Sequence, residues 1–283
     1  MSTRQLATQA VRAAARLRAA HHIGPADALC PYDLADQMGL IVHLVAASSM
    51  EGMYSPNPPP AILVTTERPP GRRRYTCAHE IGHHVFGHGT RLDELSDEEN
   101  ATWGSEEFVA HRFASGLLMP KLAVESAFAR RGLSVATPTA GDVFVVAHDL
   151  GVGYATLVRH LERTLGRLSS GAANTLVRVS LPRLRSAIAG FPVEHDLVVL
   201  DDNWGQRPLD VEIGDIVLTP GTISLEGTCA TIASEPAVHF RAVAPGIGAA
   251  VLDSRRRISL RVSRRDFAGL ARFRHLGEVR DGE

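Results

Sequence analysis

The chain has 283 residues, 45% of them hydrophobic and 22% charged, the composition of a folded globular protein and not of a disordered one. That length exceeds one ordinary core and predicts two or three domains. A net charge of -1 gives no general attraction for nucleic acid, so any such contact needs a local basic patch.

Cys30, Cys77 and Cys229 are odd in number, widely spaced and without a C-x-x-C pair. This argues against a disulfide framework or a cysteine zinc site and fits a reducing cytoplasm, the expected location. No apolar run approaches the roughly 18 residues of a membrane span, and no secretory h-region opens the chain. Lys121 is the single lysine among many arginines and alanines, a bias of base composition and not of chemistry.

In chain order, Leu6, Ala10, Ala14 and Leu17 recur at helical spacing and predict a surface helix over 3–21. Pro31 opens a second helix through Leu34, Ala35 and Met38, which Gly39 ends in a left-handed cap. Leu40 to Val45 reads as a strand, Glu51 to Pro60, with four prolines, as loop, and Ala61 to Thr65 as a second strand. After the breaker Pro69-Pro70-Gly71 comes a helix that Gly87 and Gly89 close.

Arg91 to Ser105 is polar and acidic, a solvated loop or short helix. Glu106 to Met119 regains helical period with Phe108, Phe113, Leu117 and Leu118 inward, and Pro120 ends it. A further helix spans Lys121 to Gly132. Asp142 to Leu168 has the outline of a helix-turn-helix pivoting at Gly151-Val152-Gly153.

Beyond a linker at Ser169-Ser170-Gly171 the character changes. NTLVRVS, DLVVLD, DIVLT, CATIA, AVHFRAV and RISLRV are short β-type runs between turn residues, with a terminal helix expected near Arg265 to Phe273. The expected division is 1–120, 121–170 for the helix-turn-helix-like segment, and 171–283 as a β-rich domain for sensing or substrate recognition.

The chemistry concentrates in Tyr75 to His88, YTCAHEIGHHVFGH. His79 and His83, four apart on a helix, can turn ring nitrogens toward one point, which suits zinc, and Glu80 can reach a water there as general base. A catalytic zinc needs a third protein ligand. The extended pattern H-E-x-x-H-x-x-G-x-x-H fails, because positions 86 and 89 hold Phe86 and Gly89. A glutamate from the following helix is the other route.

Glu107 is preferred over Glu106. It shares a stripe with Leu118 and, less closely, with Ala110 and Ala114, small residues that let this helix pack near Gly82, and His111 stands four residues later. Glu94, Glu98 and Glu99 read as solvated charges. Cys77, Trp103, Phe108 and Phe113 read as core or pocket wall, and His84 and His88 as bystanders. His111, His148, Arg112 and Tyr54 are candidates to stabilise an oxyanion, and His111 also to hydrogen-bond a ligand. The strand Ala61 to Thr65 is expected to pair with an extended peptide.

RRRYTCAHEIGHHVFGH followed by EEFVAHRFASGLLMP resembles the ImmA/IrrE family of bacterial metallopeptidases. Its members carry R-[FY]-T-x-A-H-E-x-G-H and a later E-x-x-A-N-x-F-A-x-x-L-L-M-P helix. The resemblance is close over about residues 30–120 and looser through VAHDLGVGYATLVRHLERTLG. It implies an α+β fold: a mainly helical gluzincin-like metallopeptidase domain with a small sheet, the helix-turn-helix-like segment and the β-rich C-terminal domain.

It further implies His79, His83 and Glu107 as zinc ligands and Glu80 as base, with Mn2+ able to replace Zn2+. The family's asparagine is His111 here. Family members cleave repressors, so the implied activity is site-specific cleavage of a helix-turn-helix repressor, freeing stress-response or mobile-element genes. The expected partner is that protein substrate; nucleic acid is less favoured and no membrane is expected. Two other readings are a DNA-binding regulator with a structural metal, using Arg159, His160 and Arg163 on a recognition helix over Val152 to Leu161, and a protease toxin held by an antitoxin.

Overall fold

The computed structural model describes residues 2–94, 104–205, 207–219, 221–233 and 238–277, with the backbone alone at 91–94. Helix α1 (Thr3–Ala20) starts from a capping box in which Ser2 and Gln5 satisfy one another's backbone N–H groups. Helix α2 (Pro31–Gln37) follows, and Gly39 takes a left-handed φ of 77° just beyond it. Strands β1 (Ile41–Val45), β2 (Met50–Ser55) and β3 (Ala61–Thr65) lead to helix α3 (Pro70–Phe86), which Gly87 ends at φ 66°. Strand β4 (Arg91–Glu94) precedes α4 (Ser105–Leu118).

Two expectations change in this stretch. Met50–Ser55 is a strand where loop is expected, because the prolines begin only at Pro56, outside it. Arg91–Glu94 is likewise a strand, paired to β2. Glu98, Glu99 and Trp103 lie outside the described residues, as does the side chain of Glu94.

Helices α5 (Lys121–Ala129), α6 (Ala140–Leu150) and α7 (Tyr154–Arg163) match the expected pattern. Gly151 closes α6 with φ 74°, and α6 and α7 meet at 102°. Helices α8 (Ser170–Val177) and α9 (Leu181–Ala189) replace the expected linker and the β reading of NTLVRVS. Ser169 caps α8 through Ala172 N–H and Pro182 sits in the first turn of α9, so local capping outweighs the β-branched content. No single helix among the described residues is long and apolar enough to cross a membrane.

The remaining strands are β5 (Leu197–Val199), β6 (Leu209–Glu212), β7 (Ile216–Leu218), β8 (Ile223–Glu226), β9 (Ala230–Ala233), β10 (His239–Ala242), β11 (Gly246–Leu252), β12 (Arg257–Ser263) and β13 (Gly269–Leu270). The expected terminal helix is instead β13 and a single 3-10 turn, Ala271–Phe273. The result is a mixed α and β chain with three small sheets.

The first sheet runs β13-β1-β3-β2-β4, with β1 and β3 parallel. Strand β3 is therefore internal, paired on both sides, and cannot receive a substrate peptide; β4 holds the edge on that side. Helix α3 packs on this sheet and α4 packs on α3 and α1. Val42, Leu44, Ile62 and Val64 from the sheet, Cys77, Ala78 and Ile81 from α3, Phe113 and Leu117 from α4, and Ala10 and Ala14 from α1 form the buried centre. Sheets β5-β7-β10-β9 and β6-β12-β11-β8 share a second core around Trp204, Leu209, Val217, Phe240 and Val262.

A buried charge network joins these two parts. Arg73 of α3 pairs with Glu212 of β6. Asp210 of β6 accepts both Nε and Nη2 of Arg261 at 2.7 and 2.8 Å, and Arg274 approaches at 3.4 Å. Arg261 also reaches Asp33 of α2 at 2.8 Å. Burial opposes ionisation of Asp210, but Arg274 and Arg261 outweigh it and hold its carboxyl well below the usual carboxylate range.

Removing that charge leaves buried guanidinium groups uncompensated. Asp210→Asn is expected to destabilise the fold by about 3 to 5 kcal/mol in urea unfolding.

Candidate metal centre

The centre is assembled from two helices. On α3, His79, Glu80 and His83 are all buried, at 2%, 0% and 0% exposure, which is rare for such polar groups unless they have work to do. Helix α4 supplies Glu107, whose side chain keeps 30% exposure. What lets the helices meet is Gly82: a Cβ there would stand 3.1 Å from Phe113 Cδ1 and 3.2 Å from the Ala110 Cα. The small residue Ala110 thus faces Gly82, and Ala114 is fully buried.

His79 Nε2 lies 3.0 Å from His83 Nε2 and 3.1 Å from Glu107 Oε2, and His83 Nε2 lies 3.6 Å from Glu107 Oε1. Among the described residues this trio is the group whose ligand atoms converge closely enough to hold a metal ion. A tetrahedral zinc with bonds of about 2.0 to 2.1 Å separates its ligand atoms by about 3.3 Å, so two imidazole nitrogens and one carboxylate oxygen at these spacings fit the ion. Hydrogen bonding from His79, then from His83, holds the Glu107 carboxyl well below the usual carboxylate range. Glu107 therefore carries a negative charge across the pH range of a cell. Glu106, its neighbour, is not part of the cluster.

His88 was not anticipated at the site. Its Nδ1 lies 2.9 Å from His83 Nδ1, the nitrogen that faces away from the cluster. With the proton on His83 Nδ1, His88 accepts it and leaves the Nε2 lone pair turned inward. A histidine five residues after His83, just past the Gly87 cap, was the available signal.

The oxyanion candidates separate clearly. The His111 ring lies 4.4 Å from that of His79, and Tyr75 donates to the His111 carbonyl at 3.2 Å. Arg112 turns to Thr164 and Tyr54 pairs with His84 at 2.9 Å. His148 is distant in the fold, bonded to Phe144 and near Asp196. Cys77 and Phe113 are core and Phe108 is half-buried, as expected.

Residues 36–162 match the family model described as the IrrE N-terminal-like domain, Peptidase_M78. This stretch is similar to the IrrE N-terminal-like domain. It matches the ImmA/IrrE family, and it takes in the sheet up to β4, both site helices and α5 to α7. No curated protein matches the chain. The cluster of His79, His83 and Glu107 lies within the matched residues.

Within α7 of the IrrE-like domain the basic residues are engaged. Arg159 bonds Glu162 at 3.0 Å and Asn174 of α8 at 2.9 Å, Arg163 lies 3.8 Å from the same Glu162, and His160 is buried beside Leu157 and Leu161. Burial pushes the His160 imidazole down to about 4.

The unfolded chain protonates this histidine near its ordinary value of about 6.5, whereas the folded one resists until about 4. Its stabilising share is therefore complete above 6.5 and lost as the pH falls toward 4. Stability is expected to drop by about 2 to 3 kcal/mol from this group between about pH 7 and pH 4.5, and His160→Met should flatten the dependence in urea titrations at the two pH values.

Proposed function

We propose that the chain is a zinc-dependent, gluzincin-like endopeptidase that cleaves a helix-turn-helix transcriptional repressor at a specific site and so releases stress-response or mobile-element genes. The observation that carries the reading is the convergence of His79, His83 and Glu107 beside the buried Glu80, inside an IrrE-like domain. In this reading His79, His83 and Glu107 hold the metal, zinc or manganese. The ion, when bound, lowers the pKa of a water and polarises the scissile carbonyl.

The protein's own groups do the rest. Glu80 takes the proton of the attacking water at a carboxylate oxygen and passes it to the leaving amine nitrogen. His111, against the His79 ring, steadies that ligand or meets the developing oxyanion. His88 keeps the tautomer of His83 that presents Nε2. The sheet edge that β4 forms among the described residues is the place where an extended peptide can add a strand.

The helix pair α6 and α7 has a helix-turn-helix outline, but with Arg159 and His160 engaged it supports packing within the domain better than reading of DNA. Co-expression with a helix-turn-helix repressor tests the proposal. Wild type should cleave it, and Glu80→Gln should keep its zinc while cleaving at least about 100-fold more slowly. Equal cleavage by the zinc-loaded Glu80→Gln protein would overturn the assignment.

A further inference from the structure

We propose that strand β2 is the positioning element for Glu80 and that Gly52 is its working residue, the place where a missing side chain makes room for the carboxylate. The inference rests on the reading of Glu80 as general base and adds what sets that group in place. Thr76, Glu80 and His84 stand four apart and form one stripe of α3. Gly52 and Tyr54, two apart on β2, are both buried on the strand face turned to that stripe.

The contact is tight. A Cβ on Gly52 would lie 2.5 Å from Glu80 Oε1 and 2.5 Å from Thr76 Cγ2. Gly52 is not among the glycines with positive φ, so its backbone could be adopted by any residue. What the position requires is the absence of a side chain.

The strand is also held so that it cannot retreat. Glu51, the residue before Gly52, receives Arg68 Nε at 2.8 Å and Arg72 Nε at 2.9 Å. The pairing of β2 with β4 shifts register between Met50 and Gly52, a bulge at Glu51 that fixes which residue meets Glu80. At the other end Tyr54 Oη pairs with His84 Nδ1 at 2.9 Å, with the rings edge to face. With β2 clamped on both sides of Gly52, the carboxylate end of Glu80 is the part that yields to an added methyl group. The atoms nearest to that Cβ belong to Thr76 and Glu80, and none of them to the metal trio.

The test separates metal binding from base placement without a substrate. Zinc affinity, then the affinity of the zinc-loaded protein for acetohydroxamate, is measured by calorimetry. A hydroxamate chelates the ion and gives its acidic proton to a carboxylate beside it, so it reports where Glu80 lies. The variants are Gly52→Ala, Gly52→Ala with Thr76→Ser, Thr76→Ser alone and Glu80→Gln. The double variant removes the methyl group that would otherwise be crowded, and so keeps the fold if Gly52→Ala alone does not.

Both Gly52 variants should bind zinc within about threefold of wild type and lose acetohydroxamate affinity at least about tenfold, as Glu80→Gln does, while Thr76→Ser alone stays near wild type. Hydroxamate affinity that survives in the folded Gly52 variants but falls in Glu80→Gln would overturn the role of Gly52 and leave the base assignment standing. Zinc affinity lost together with hydroxamate affinity in the double variant would also overturn it, making Gly52 a residue of the metal site's fold. A Glu80→Gln protein that binds acetohydroxamate as wild type does would remove the base assignment itself, and this inference with it.

Discussion

The centre depends on how closely two helices can approach. His79 and His83 are fixed relative to one another by a single helical turn, but Glu107 stands on a different helix and must be carried to them. Gly82 permits this, because the surface of α3 between the two histidines has no side chain to hold Ala110 away. The helix–sheet layer then continues the same logic on the other side, where Gly52 lets β2 approach Glu80. One helix thus meets a neighbour across a glycine contact on each side, α4 at Gly82 and β2 at Gly52.

The orientation of α3 is set from its other end. Arg73, six residues before His79, pairs with Glu212 in the β-rich part of the chain, and Asp210 gathers Arg261 and Arg274 next to it. Strand β13 adds to the first sheet beside β1, so the last described segment of the chain returns to the IrrE-like domain. These contacts make the C-terminal strands part of what holds α3. Any change there that breaks Arg73 from Glu212 reaches the site through one rigid helix.

Much of the site was legible because its signals are local. The four-residue spacing of His79 and His83 needs only helical periodicity, and the Glu107 stripe with Ala110 needs only the next helix. The helices α1 to α7 were legible for the same reason, each having a cap, a proline or a glycine at its ends. What escaped was set by pairing. Strand β2 lies just before a proline run, and its existence depends on β3 and β4 beside it. Strand β3 reads equally well as edge or interior until β1 and β2 flank it. NTLVRVS has β-type residues, yet Ser169 caps it into α8. Gly52 and His88 carry no pattern of their own, and their roles appear only when Glu80 and His83 are across from them.

The central claim is that His79, His83 and Glu107, brought from two helices by one glycine contact, form a single zinc site. Equilibrium zinc binding by the wild type, Glu107→Gln and Glu106→Gln tests it most directly. The account predicts one zinc per chain, a loss of more than about 100-fold in affinity for Glu107→Gln and a change within about threefold for Glu106→Gln. Loss of zinc in Glu106→Gln with retention in Glu107→Gln would contradict it.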